Sequence, residues 1–72
     1  MLIKTASGEG GPRYLIQEHA GADSYTLAAF DTLEIAGVVL RYLKGSVMRA
    51  VEQETAVNAL REYDRRSAAA RQ

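Results

Sequence analysis

The spacing of apolar residues along this chain changes from a period of two to one near 3.6 at about residue 30. Over Arg13–His19, Tyr14, Ile16 and Glu18 fall on one side, and Arg13, Leu15, Gln17 and His19 on the other. That is the alternation of a strand. Tyr25, Leu27 and Ala29 alternate in the same way with Ser24, Thr26, Ala28 and Phe30. Between the two runs, Ala20-Gly21-Ala22-Asp23 holds the Gly and Asp of a tight connection. Residues 13–30 are therefore predicted to form an antiparallel hairpin. Tyr14 and Tyr25 are expected on one of its faces, with Ile16 and Leu27 beside them. Residues 1–6 mix apolar and β-branched types and are compatible with a third, N-terminal strand. Residues 7–12, Ser-Gly-Glu-Gly-Gly-Pro, break both periodicities and read as a loop. No Lys-Ser/Thr follows them, so the likeness to a phosphate-cradling loop is superficial.

The strongest local signal is Asp31-Thr32-Leu33-Glu34, an Asp variant of the capping box. The Asp31 carboxylate is expected to accept from the backbone N–H of residue 34, and Glu34 to reach back to the cap. Phe30 and Ile35 stand where a hydrophobic staple belongs. The following pattern predicts a helix over 32–44 that stops at Gly45, with Arg41 and Lys44 complementing the dipole in its last turn. A second helix is predicted over 49–66, a run without Gly or Pro. Its apolar stripe is read as Val47 or Met48, Val51, Ala56, Leu60 and Tyr63, with Val57 on the flank. Ser46 is the candidate cap. Residues 67–72 contain good helix formers and nothing large to bury, so they are expected to extend the helix as a fraying tail. Together these elements predict one α+β domain over residues 1–72, a small antiparallel sheet with two C-terminal helices on one face.

Composition narrows the chemistry. Seventy-two residues without cysteine exclude a disulfide framework and a thiolate metal site, and they place the chain near the lower size limit for an unstapled core. Met1–Thr5 reaches polar residues and glycine too soon for a signal peptide, and no apolar run approaches the roughly 18 residues of a membrane span. A soluble, cytoplasmic protein is the expectation. Net charge is zero, yet residues 1–36 hold two basic and five acidic side chains, and residues 37–72 seven and four. That asymmetry is too mild to name a partner.

The catalytic inventory is short. His19 is the only histidine, and no serine lies in a nucleophile-elbow pattern. Glu18, His19 and Asp23 flank the predicted turn, but Glu18 and His19 point to opposite faces of a strand, so a solvated hairpin end is expected there rather than a metal site. Glu52/Glu54 and Glu62/Asp64 are two apart on a helix and diverge. Glu54 with Arg61, and Glu62 with Arg65 or Arg66, are expected to form a salt-bridged solvent face. No enzyme, cofactor or metal is predicted. Arg61, Arg65, Arg66 and Arg71 are the candidate phosphate contacts of a nucleic-acid-associated regulator, the lesser of two functional expectations.

The first helix carries the leading one. Leu33, Ile35, Ala36, Val38, Val39, Leu40, Tyr42 and Leu43 leave only a narrow stripe of Glu34, Gly37, Arg41 and Lys44. An ordinary surface helix has an apolar arc little over ~100° wide. This helix is expected to be covered on two sides, either wholly within the chain or with Ile35, Val38, Val39 and Tyr42 meeting a second protein or a second copy. Gly37 would let another backbone approach.

No motif transfers residue by residue to a known family. In size, lack of cysteine and hairpin-then-helix order, the chain resembles small bacterial or phage accessory proteins, anti-CRISPR-type inhibitors among them. The resemblance implies a non-catalytic inhibitor that occludes a bacterial protein. Sequence and resemblance together point to a protein–protein interaction module, expected to be homodimeric.

Overall fold

A computed structural model describes residues 1–8 and 11–70. Glu9 and Gly10 of the glycine-rich loop, and Arg71 and Gln72 of the tail, lie outside the described residues. The element order is β1 (Leu2–Ala6), β2 (Arg13–Ala20), β3 (Asp23–Phe30), α1 (Leu33–Leu43) and α2 (Ala50–Ala70). This is the predicted α+β fold, and the N-terminal segment is a strand. The sheet is antiparallel in the order β1-β2-β3. Gly21, with φ of 65°, supplies the left-handed residue of the β2–β3 turn. No helix among the described residues is long and apolar enough to cross a membrane.

Register departs from the expectation at one point. Tyr14 pairs with Phe30, Leu15 with Ala29 and Ile16 with Ala28, but Gln17 then pairs with Thr26. Leu27 is the extra residue of a bulge, so Ala28 stands opposite Ile16 in place of Leu27. Tyr25 pairs with Glu18, which keeps it on the side of Tyr14 and Ile16, where it is exposed. The bulge moves a large side chain out of the row beneath α1 and puts an alanine there.

Packing explains the core. α1 lies across all three strands on one side and against α2 on another, while α2 also touches β3. Ile16, Ala28, Phe30, Ala36, Val39 and Ala56 are buried, with Ile16 and Val39 the largest of the fully buried side chains. Three of those six are alanine, so the core is thin. Tyr63 of α2 meets Phe30 at a ring separation of 6.1 Å and a 51° tilt, an arrangement that aromatic quadrupoles favour.

Both helix starts differ from expectation. Thr32, not Asp31, caps α1: its backbone is extended and its hydroxyl accepts from the Ile35 N–H at 3.2 Å. Strand β3 runs through the buried Phe30, so the chain needs Asp31 to leave the sheet before it can turn. Asp and Thr rank close enough as caps for packing to decide. Glu34 then sits one position too early to complete a capping box, and Phe30 packs on Tyr63 instead of serving as a staple residue. The stop matches the expectation. Gly45 has φ of 76°, its N–H donates to the Tyr42 carbonyl, and the Ser46 N–H donates to the Arg41 carbonyl. This is a Schellman closure.

For α2, the residue before the first turn is Arg49 rather than Ser46. Its backbone N–H donates to Glu52 Oε1 at 3.4 Å, the back half of a capping box without a Ser or Thr cap. The covered residues of α2 are Glu52, Thr55, Ala56, Val57, Ala59, Leu60, Tyr63 and Ser67, a stripe about the line 52, 56, 60, 63, 67 whose steps are four and three. Val51 lies off it and is exposed, as is Val47. The helix continues to Ala70, because three consecutive alanines cost it nothing to extend.

Candidate functional site

The wide apolar arc of α1 is consumed mostly inside the chain. Val39 is 0 % exposed, between sheet and helix, so it has no surface to offer a partner. Ile35 and Val38 are half-buried against the same core. Tyr42 is the one predicted interface residue with substantial exposure, at 39 %. Coverage on two sides therefore comes from β1–β3 and α2.

What remains open is the flank that carries the narrow stripe. A groove of about 420 Å³ runs between α1 and the first turns of α2, bordered by Leu33, Glu34, Gly37, Val38, Val51 and Thr55. Its two apolar rims are strongly exposed, Leu33 at 56 % and Val51 at 62 %. Neither was singled out as an interface residue from the sequence. Leu33 belongs to the apolar arc but stands at its edge, and Val51 was assigned to the buried stripe.

One end of the groove is held by charge. Glu52 Oε2 accepts from Arg41 Nη2 at 2.8 Å, and Glu52 Oε1 accepts from Arg49 Nε at 3.2 Å. The carboxylate thus ties the last turn of α1 to the first turn of α2, and each charge suits its helix terminus. The Arg49 side-chain hydrogen bond and then its backbone N–H hold the Glu52 carboxyl below the ordinary carboxylate range; desolvation opposes them, and the Arg41 charge and hydrogen bond add to the lowering.

The remaining candidates do not converge. Glu62 accepts from Arg66 at 2.9 Å and has Arg65 at 3.7 Å, so two of the four arginines proposed for phosphate share one anion, and a third, Arg71, lies outside the described residues. Arg61 is exposed, and no ion pair joins it to Glu54 among the described residues. A second hollow, of about 750 Å³, lies between the start of β2, the end of β3 and the C-terminal half of α2. Arg13 and Arg66 line it together with Asp31 and Glu62, a balanced set that favours neither anion nor cation. His19 is exposed at the hairpin end, and no three His, Asp or Glu among the described residues are grouped to hold a metal ion.

No protein-family model matches this chain, and neither does a curated protein or a solved structure.

Proposed function

We propose that the chain is a non-catalytic protein–protein interaction module of the cytoplasm, in which the α1–α2 face binds protein and the domain bridges or occludes what it binds. The observation that carries this reading is the exposed apolar rim of the α1–α2 groove, Leu33 at 56 % and Val51 at 62 %. The thin core points the same way, because a domain this small gains stability from burial against a second surface.

A small nucleic-acid-associated regulator using Arg61, Arg65 and Arg66 has less support, since Glu62 neutralises part of that stripe. The test compares the full chain with its Leu33→Glu/Val51→Glu variant, shown by circular dichroism to be folded. Both are used as affinity baits in nuclease-treated bacterial lysate. A near-stoichiometric protein, the chain itself or another, bound by the wild type and lost with the variant, is the expected result. Identical retention by both would refute the reading. So would binding of purified DNA or RNA, offered to the wild type in a separate titration, that weakens with salt and vanishes on replacing the three arginines.

A further inference from the structure

We infer that the occupant of the α1–α2 groove is a second copy of the chain, related by a two-fold axis that passes near Gly37. The inference rests on the reading of this face as protein-binding.

Gly37 is the first reason. It sits in mid-helix, where glycine weakens a helix relative to alanine. Nothing among the described residues asks for it. Its φ is not positive, and a Cβ added there would meet no atom within 4 Å. A glycine on the open flank, unneeded by its own fold, is what the close approach of another backbone would require.

The second reason is the placement of charge. Glu34 and Arg41 lie on the same flank of α1, and the midpoint between them falls at Gly37–Val38. An antiparallel crossing of α1 with its symmetry mate at that point brings Glu34 of each copy over Arg41 of the other, whose Nη2 stays on Glu52 within its own chain and whose remaining guanidinium N–H groups take the second carboxylate. Such a contact is isologous, with one patch complementary to itself. Leu33 and Val51 are then projecting apolar groups toward the ends of the contact, away from the crossing point. The assembly would be a four-helix layer between two outward-facing sheets, with each Glu52 cluster fixing the spacing of the helix pair it belongs to.

The test uses sedimentation velocity on the full chain from low to high micromolar concentration. The wild type is expected to dimerise. Gly37→Ala should weaken the dimer about tenfold by crowding the crossing, while raising the melting temperature at concentrations where the chain is monomeric by roughly 2–8 °C. Glu34→Arg and Arg41→Glu should each be monomeric alone, and an equimolar mixture of the two should dimerise, because both ionic contacts are then restored. A wild type that stays monomeric overturns the inference. So does a dimer that tolerates Gly37→Ala, or a charge-swapped mixture that stays monomeric while both variants are folded. The two readings fail separately. A monomeric chain that loses a different bound protein on Leu33→Glu/Val51→Glu refutes the second copy only. A monomeric chain whose variant keeps every bound protein refutes both.

Discussion

Ile16 and Leu15 are neighbours on the central strand, and replacing each in turn by alanine tests whether the helices cover only one face of the sheet. Ile16 is fully buried beneath α1 and is flanked in register by Ile3 and Ala28. Leu15 points to the opposite face, between Lys4 and Ala29, and is half-buried. Truncating a fully buried Ile to Ala costs about 2–5 kcal/mol, from lost transfer free energy and the cavity left behind. The thin core argues for the upper half of that range, because three of its six buried residues are already alanine and have no side-chain freedom with which to fill a hole. A chain of 72 residues has a total stability of only about 4–11 kcal/mol, so Ile16→Ala removes a third or more. Leu15→Ala gives up only the portion of its side chain that strand neighbours shield, about 1 kcal/mol. Urea unfolding at one matched protein concentration measures both, with the m-value confirming that the unfolded states are comparable. Equal losses for the two variants, or a loss below about 1 kcal/mol for Ile16→Ala, would refute the one-sided sheet and the placement of the core.

Three further outcomes follow from the helix ends and the charge cluster. Thr32→Ala should lower stability by about 1 kcal/mol, and Asp31→Ala by less than half of that; the reverse order in urea melts would return the cap to Asp31. Gly45→Ala should lower stability by about 1–2 kcal/mol because φ of 76° is strained for any residue with a Cβ, opposite in sign to the effect of Gly37→Ala on the monomer. The Glu52 carboxyl is held below its ordinary range by Arg49 and Arg41, so its contribution is complete above the unfolded-state pKa and is lost as pH falls through the lower folded value. Glu52→Gln should therefore lower the melting temperature at neutral pH and flatten its fall on acidification. A variant with an unchanged acid limb would show that the cluster is not coupled to folding.

Much of this architecture was legible from pattern alone. Alternation over Arg13–Phe30, the period of residues 33–43 and the glycine at 45 are local properties, and local backbone geometry suffices to read them. The helix caps were less legible. Asp31 and Thr32 are adjacent and chemically similar, and only the burial of Phe30 against Tyr63 selects between them. At the second helix, Arg49 has no side-chain acceptor with which to announce a cap, and the carboxylate that serves is three residues downstream. The bulge at Leu27 was invisible for a similar reason, since β2 pairs normally on either side of it.

The candidate site divides along the same line. The sequence by itself determined that α1 is apolar around most of its circumference, that Gly37 interrupts its polar stripe, and that the chain offers no thiolate chemistry. Which flank stays open was decided only by tertiary packing. The sheet and α2 cover Ala36 and Val39 completely and Ile35 and Val38 in part, and leave Leu33, Gly37 and Val51 around a groove. The arc that looked available is largely spent within the chain, and the stripe that looked merely solvated borders the open face. A helical pattern records how many sides of a helix are apolar. The long-range placement of other elements decides which of those sides remain uncovered.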